Sequence, residues 1–413
     1  MARLNITLNQ DEILQLLEKD SGEAFKIMLQ SSLNAVLKAE SAEQLGALPY
    51  ERSEGRTDSR NGTRERSLTT RIGKITLQVP RHRNVPFKTL IFDNYSRSEG
   101  ALIAGMAEMV VNGVSTRKIS KIMETLCGTS YSKSAVSEVC KDLDQAVTKF
   151  KNRPLNGKYP FLTVDATYFK VRQEHRVISN ALMIAYGTDE NGHREIIGFD
   201  VYPSETEETW KTFLLSLQKR GLAGVLMITS DAHEGLRKAL SVVYPNVSWQ
   251  RCQFHFKRNI VDKVPKKYQA GISAELQEMF NAGTIEEARK KRDEIIESYS
   301  DIAETAMKCL DSGFESSMTV MELPKNLRKY FRTSNQIERL NKELKRRSKV
   351  IGVFPSKSSL LRLMGSVLIE RNDVIQTLKA IFSSDTYKSL LDSETPVRLI
   401  KIAAEQLKLL AAA

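Results

Sequence analysis

Three carboxylates in this sequence stand where a carboxylate needs a reason. Asp165 interrupts the run "FLTVDATYFKV" (Phe161 to Val171), whose Phe161, Val164, Phe169 and Val171 are strand formers. A bare charge among such residues is costly to bury, so either the strand has ended in a turn by Asp165 or a cation meets it there. Asp231 follows directly on the apolar run "VLMITS", and a carboxylate just past a buried strand faces the crevice where open sheets bind ligands. Taken singly, Asp231 reads equally well as the cap of a helix beginning near His233. Glu338 lies in "RTSNQIERLNKELKRRSK", a helical stretch with Ile337, Leu340 and Leu344 on one face. A lone Glu in a charged helix is usually surface decoration. From Lys325 to Lys349, however, ten residues are basic and only Glu338 and Glu343 are acidic, and an acid kept among so many cations suggests work beside a nucleic acid. The chemistry such a trio suits is phosphoryl transfer, in which two divalent ions about 4 Å apart hold the attacking and leaving oxygens. Mg²⁺ prefers carboxylate oxygens and keeps several waters, so a few Asp and Glu residues suffice.

A second constellation is "CQFH", Cys252 to His255. Its spacing is that of metal ligands, but a structural zinc site commonly needs four ligands in two local pairs. Cys127, Cys140 and Cys309 are isolated and no second pair exists, so zinc is not expected. On their own, Cys252 and His255 read as a packed strand-to-helix junction. His233, two residues after Asp231, is a candidate neighbour of the metal ions. Lys170 and Arg172 share one face of the first strand, where they would meet phosphate. Trp210, in "SETEETWKTF", is either core or a surface on which a displaced base stacks. Arg339, Lys342, Lys345, Arg346 and Arg347, around and after Glu338, are expected to contact the DNA backbone.

These residues need elements to hold them. "FLTVDATYFKVR", "VISNALMIAYG" and "HREIIGFDVYP" read as three strands, the last two joined by the turn "TDENGH". "SETEETWKTFLLSLQKRG" reads as an amphipathic helix with acids in its first turn and Gly221 at its end. "GVLMITSD" has the unbroken apolar character of a central strand, "HEGLRKALSVVYP" that of a helix, and "NVSWQRCQF" that of another strand. Three strands, helix, strand, helix, strand imply a mixed sheet flanked by helices. After Cys252 the pattern is almost wholly helical.

Towards the N-terminus, residues 9–48 read as helix, with Phe25, Leu29, Leu33, Val36 and Leu37 forming an apolar stripe that is core or, less often, a dimer seam. Residues 51–66 are polar and read as a loop or flexible arm, leading to the alternating strand "TRIGKITLQVPRHR", which Pro80 is expected to stop. Arg60, Arg64, Arg66, Arg71, Lys74, Arg81 and Arg83 are its candidate phosphate contacts, a solvated basic loop being the even alternative. In "VSTRKISKIMETLCGTSYSKSAVSEVC" a helix with Ile119, Ile122, Met123 and Leu126 inside reaches Gly128, and Ser132 can cap a second. That is a helix-turn-helix pattern, with Arg117, Lys118, Ser132, Lys133 and Ser134 placed to approach DNA, although an ordinary helical hairpin has the same form.

The whole chain has 413 residues and a net charge of +12. That length predicts two to three domains, and that charge favours a polyanionic partner, above all nucleic acid. No apolar run approaches the roughly 18 residues that span a bilayer, and no export signal is visible in "MARLNITLNQDE". Four scattered cysteines suggest no disulfide framework, and a reducing cytosol is expected.

"TVDATYFKVR", "ITSDAHEGL", "WQRCQFHFKRN" and "TSNQIERLNKELKRR", in that order, resemble the bacterial insertion-sequence transposases of the Mutator type, and the resemblance extends to the basic arm and "IGKITLQVPRHR". It implies an α/β, ribonuclease-H-like catalytic core with an Asp-Asp-Glu triad, falling on Asp165, Asp231 and Glu338. It further implies an all-helical insertion between the last two, here 256–322, and a core divided into 158–255 and 323–380. Around these lie an N-terminal helical region (1–50), a basic arm and hairpin (51–100), the helix-turn-helix-like segment (101–150) and a helical tail (381–413). The implied activity is Mg²⁺-dependent DNA cleavage and 3′-OH strand transfer at terminal inverted repeats, Mn²⁺ substituting, with target DNA, a homodimer or larger assembly, and a circular intermediate. For Cys252 and His255, within "WQRCQFHFKRN", the resemblance implies support of the active site, and for the cytosol, a bacterial cytoplasm in contact with the nucleoid. A transposase-derived regulator without catalysis, or a ribonuclease-H-type nuclease acting on RNA, are the alternatives. Loss of one carboxylate would mark the former, and all three are present.

Overall fold

The computed structural model describes residues 21–51, 55–70, 73–89, 100–127, 136, 140 and 142–411. They fall into two compact units, Met1–Asp142 and Leu143–Ala413. Arg71, Ser132, Lys133 and Ser134, and with them the second helix of the helix-turn-helix pattern, lie outside the described residues.

In the first unit, α1 (Ser21–Leu45) packs on a two-stranded antiparallel hairpin of β1 (Arg60–Thr70) and β2 (Gly73–His82). Ile75, Leu77 and Val79 of β2 are buried with Leu37, while Leu29 and Leu33 of the same stripe pack at the edge. The apolar stripe of α1 therefore covers β2, and Phe25 remains exposed. Two expectations are corrected here. Residues 60–66, read as a loop, belong to a strand whose side chains are polar because they face water; only towards its end do Leu68 and Thr70 turn inward. Pro80 does not stop β2, which runs on to His82, because Pro80 stands opposite Thr63 beside a bulge, where a missing N–H is tolerated. α2 (Gly100–Val111) and α3 (Thr116–Cys127) follow, with Met106, Ile119 and Met123 in a small core.

The second unit takes in α4 (Asp142–Lys151) from Leu143 onward and is built on a five-stranded mixed sheet. Its strands are β3 (Phe161–Gln173), β4 (Arg176–Thr188), β5 (Arg194–Tyr202), β6 (Met227–Ser230) and β7 (Ser248–Arg251), in the order β5-β4-β3-β6-β7. β3, β4 and β5 pair antiparallel; β6 joins β3, and β7 joins β6, in parallel. The parallel steps need crossovers, supplied by α5 (Glu207–Lys219) between β5 and β6 and α6 (Glu234–Val243) between β6 and β7. α5 starts at a capping box in which Thr206 and Thr209 satisfy each other's backbone N–H groups. Its buried face, Trp210, Phe213, Leu214 and Leu217, covers Leu162 and Val164 of β3.

The chain then becomes helical, as its spacing predicts. α7 (Gln253–Val261), α8 (Gln269–Phe280), α9 (Ile285–Tyr299) and α10 (Glu304–Ser317) share a core of their own around Phe256, Ile272, Leu310 and Phe314. α11 (Lys325–Phe331) and α12 (Asn335–Ser348) return to the other face of the sheet, where Phe331 stacks on Phe161 at 4.0 Å. α13 (Lys357–Gln376), α14 (Ser384–Asp392) and α15 (Thr395–Ala411) complete the unit. Asn372 of α13 accepts the buried N–H of Ile196 at 2.8 Å, fastening that helix to β5.

Candidate active site

The site is prepared by the one place where β3 has parallel and antiparallel neighbours at once. Thr163 of β3 stands level with Thr229 of β6. Two residues further along each chain lie Asp165 and Asp231, so the two carboxylates leave adjacent parallel strands at the same height. β6 ends at Ser230, whereas β3 continues beside β4 to Gln173. Asp165 is thus in mid-strand and not in a turn, half-buried and open to the gap that β6 leaves. Its Oδ1 accepts the N–H of Ala166 at 2.9 Å and its Oδ2 accepts Nδ2 of Asn341 at 2.8 Å. Burial, with the charge of Asp231 second, pushes its carboxyl up to about 7. Asp231 accepts the N–H of His233 at 3.3 Å, but the helix cap itself is His233, so capping does not account for Asp231.

Glu338 is brought in by α12, whose Ile337, Leu340 and Leu344 are buried as their spacing predicts. A set of cross-links fixes where that helix starts. Thr229 Oγ1 donates to the Phe331 carbonyl at 2.8 Å, Cys252 N to Ser230 O at 2.7 Å, and Gln253 N to Arg332 O at 3.0 Å. Ser334 donates to the Cys252 sulfur through both N (3.3 Å) and Oγ (3.2 Å), and its Oγ also lies 3.4 Å from Glu338 Oε1. His255 Nε2 is 3.5 Å from the same Oε1. One turn on, Asn341 reaches Asp165, so a single face of α12 carries Glu338 to the sheet and ties it there.

Cys252 is 0 % exposed and serves as the post at this junction. Burial pushes its thiol up, but His255 and Ser334 together outweigh burial and hold it below the ordinary thiol value. The Cys252 sulfur, with Glu338 and Asp165 adding, raises His255 to about 9 against the opposing effect of burial. The ligand atoms of Cys252, His255 and Glu338 lie within 4.8 Å of one another, a third donor for the Cys-x-x-His pair that spacing alone did not reveal.

Glu338 groups with Cys252 and His255, while the donor chemistry of Asp165 and Asp231 fits a hard divalent cation. Their oxygens are of the type Mg²⁺ takes, and a cation offsets both the burial and the mutual repulsion of the Asp pair. Oδ1 of Asn341, whose Nδ2 donates to Asp165, is buried with no hydrogen-bond partner.

Other expected residues divide sharply. Trp210 is 0 % exposed and packs against Phe213 at 6.0 Å; inside the core, it cannot stack a base. Arg347 is 3 % exposed and paired with Glu343 at 2.8 Å and Glu370 at 3.0 Å, so it braces α12 against α13 and does not face phosphate. Arg346 is exposed yet holds Glu343 in a two-pronged pair at 2.7 Å. Arg60 donates to the carbonyls of Ala47 (2.6 Å) and Leu48 (3.1 Å), a clamp on the chain after α1. Lys170 and Arg172 are exposed but, by strand alternation, point to the face opposite Asp165. Arg339, Lys342 and Lys345 on α12, Arg117 and Lys118 on α3, and Arg64, Lys74, Arg81 and Arg83 on the hairpin are exposed; Arg66 is half-buried. His233 is half-buried beside Asp231. Sequence reasoning missed Asn341 and Ser334, which helical spacing places at i+3 and i−4 from Glu338. It also missed Glu205, whose carboxyl burial pushes up, with the Asp231 charge adding.

A mixed α/β protein with two carboxylates set just past the parallel pairing of β3 and β6 is the class that fold and site define. The particular family follows from comparison: the family model "Transposase, Mutator family" matches residues 2–377. The transposase for insertion sequence element IS256 in transposon Tn4001 from Staphylococcus aureus is 42% identical over 94% of this chain and 99% of its own length. That for ISRM5 from Rhizobium meliloti is 37% identical over 85% of this chain and 88% of its own. That for IS1081 from Mycobacterium tuberculosis is 35% identical over 86% of each. The Drosophila P element transposase strand transfer complex aligns with 12% identity and a TM-score of 0.29, over 78% of this chain and 94% of that one. The chain belongs to the Mutator family of transposases. Among the described residues, no helix is long and apolar enough to cross a membrane.

Proposed function

We propose that Asp165, Asp231 and Glu338 form an Asp-Asp-Glu centre that cleaves DNA at the ends of an insertion sequence and joins the 3′-OH to target DNA. The observation that carries this reading is the level pairing of Thr163 with Thr229, two residues short of Asp165 and Asp231, with α12 reaching Asp165 through Asn341, one turn after Glu338. The strand order, with three antiparallel strands extended by two parallel ones, supports a ribonuclease-H-like core. Divalent ions, Mg²⁺ or Mn²⁺, supply charge neutralisation at the scissile phosphate and at both of its reacting oxygens. The chain's own part is positional. Asp165 holds its carboxylate on β3 and Asp231 just past the end of β6, Asn341 fixes the Asp165 rotamer, and His255 stands next to Glu338, where it can donate to a phosphate oxygen. The exposed cations Arg339, Lys342 and Lys345 on α12, and Arg64, Lys74, Arg81 and Arg83 on the hairpin, are proposed to follow the DNA backbone. The family resemblance extends the proposal to a homodimer or larger assembly on terminal inverted repeats and to a circular intermediate.

The test is cleavage and strand transfer on duplexes carrying the element's own ends, with Mg²⁺. Asp165→Ala, Asp231→Ala and Glu338→Ala are each expected to lower the rate by about 10²–10³-fold, the scale on which removal of a transition-state charge stabiliser acts. Full activity in any one removes that residue from the centre. Cleavage of an RNA strand in preference to DNA would replace the reading with a ribonuclease.

A further inference from the structure

With Trp210 inside the core, the aromatic that can meet a base is elsewhere. Phe254 is 45% exposed, although it sits between buried Cys252 and the catalytic-site His255, and Phe256 two residues on is fully buried. An apolar ring turned outward at a helix start next to charged residues is not explained by packing. It forms one wall of an open groove of about 520 Å³ between α7, α8 and the α11–α12 junction. The groove lies next to the proposed centre: the Phe254 ring meets the His255 imidazole edge-on at 5.6 Å, and Asn335, on the opposite wall, lies one turn before Glu338. The rest of its lining sets four cations, Lys257, Arg258, Lys329 and Arg332, around an apolar floor that includes Val261 and Phe280. Lys257 and Arg332 donate to neutral amides, Gln277 at 3.2 Å and Asn281 at 2.7 Å, and Lys329 stands over the Tyr330 ring at 4.8 Å. Arg258 shares its charge with Asp262 at 3.5 Å.

We propose that this groove binds the single-stranded DNA segment adjoining the scissile phosphate, with Phe254 as the platform on which one unpaired base stacks. The inference rests on the proposed DNA-cleaving function and adds to it the site that takes the flanking strand. A groove that tracks phosphates with cations and offers an aromatic face to a base is the arrangement single strands require. A paired duplex would not present a free base face to Phe254, so a base next to the cleavage point must leave its stack. Neutral amides beside Lys257 and Arg332 keep those cations available to phosphate, as carboxylate partners would not.

The experiment uses the full chain and a fluorescent (dT)₁₂ oligonucleotide carrying one 5-iododeoxyuridine. Irradiation is expected to crosslink the oligonucleotide to Phe254. Phe254→Ala, a change at an exposed position that leaves the circular dichroism spectrum and melting unaltered, is expected to weaken (dT)₁₂ binding about tenfold and abolish the crosslink, while Phe254→Tyr binds within about threefold of wild type. Arg332→Glu is expected to weaken binding and lower the salt dependence by about one phosphate. Unchanged affinity in Phe254→Ala, or a crosslink that maps outside the groove, overturns the inference. Cleavage takes no part in this measurement. A chain that crosslinks at Phe254 but cuts nothing keeps the groove and loses the proposed chemistry; one that cuts DNA yet crosslinks elsewhere loses the groove alone.

Discussion

At the scale of single residues, the decisive contact is the one from Asn341 Nδ2 to Asp165 Oδ2 at 2.8 Å. Asp165 is caught between burial and a like charge, and a neutral donor is the side chain that can orient it without competing for a cation. Asn341→Ala is expected to raise the Mg²⁺ concentration needed for half-maximal cleavage by about 10–100-fold, the usual effect of losing an outer partner of a metal ligand. Asn341→Asp, which adds a third negative charge beside Asp165 and Asp231, should be worse at low Mg²⁺ and partly recover at high Mg²⁺. A metal titration identical to wild type for Asn341→Ala would remove Asn341 from this role. The three carboxylates were legible in the sequence because their surroundings were anomalous: an acid in an apolar strand, an acid after an apolar run, an acid in a basic helix. Asn341 was not, since an Asn in a polar helix carries no anomaly until the strand it touches is known. The reverse error occurred at Arg347, where one more cation in a basic run gave no sign of the Glu343 and Glu370 pairs that bury it.

At the scale of elements, legibility followed hydrophobic periodicity. β3, β4, β5 and α5 were evident because their faces are apolar at strand or helix spacing. β1 was invisible because its outward side chains are polar and its strand character comes from pairing with β2. What holds the open end of that hairpin is Asp58, whose carboxylate accepts the N–H groups of Ser59 (2.6 Å), Asn84 (2.8 Å) and Val85 (2.8 Å) and the Asn84 amide (3.0 Å). These bonds, that from Val85 foremost, lower its pKa from 3.8 to about 2. Because the folded value lies below the unfolded one, the stabilisation is fully present above about pH 4 and is lost as pH falls towards 2. A carboxyl ¹³C titration should place Asp58 near 2, and Asp58→Asn should make the hairpin's amide protection insensitive to pH over that window. A midpoint at the ordinary Asp value would show the clamp unformed. In the other unit, the element that most needs anchoring is α12, and the anchor lies just ahead of it, where Phe331 stacks on Phe161 at 4.0 Å. Phe331→Ala is expected to cost about 3–5 kcal/mol in denaturant unfolding and to reduce cleavage further than Phe161→Leu, because it also frees the start of the Glu338 helix. Equal activity in the two would mean that α12 is held by the Cys252–Ser334 contacts alone.

At the scale of the whole molecule, the question is what the net charge of +12 does. Much of the basic complement is internal bracing. Arg153 pairs with Glu195 at 2.8 Å, Arg362 with Asp144 at 2.6 Å, and Arg347 and Arg371 share Glu343 at 2.8 Å. The cations that remain exposed include Lys74, Arg81 and Arg83 on the hairpin and Arg339, Lys342 and Lys345 on α12, in separate units and each set on one element. Charges of the first kind cannot release counterions from DNA, because a carboxylate already holds them; those of the second kind can. The salt dependence of binding therefore discriminates between net charge and arranged charge. Each phosphate neutralised contributes about −0.9 to the slope of log K against log salt. Reversing Arg81 and Arg83 together should flatten the slope by about two phosphates and weaken binding to unrelated and end-sequence DNA alike. Reversing Arg289, an exposed arginine whose guanidinium is held by Glu315 at 3.0 Å, should leave the slope unchanged although the net charge falls by the same amount per residue. If both changes flatten it equally, the protein binds DNA through its overall charge and the hairpin has no special part in holding the element's ends.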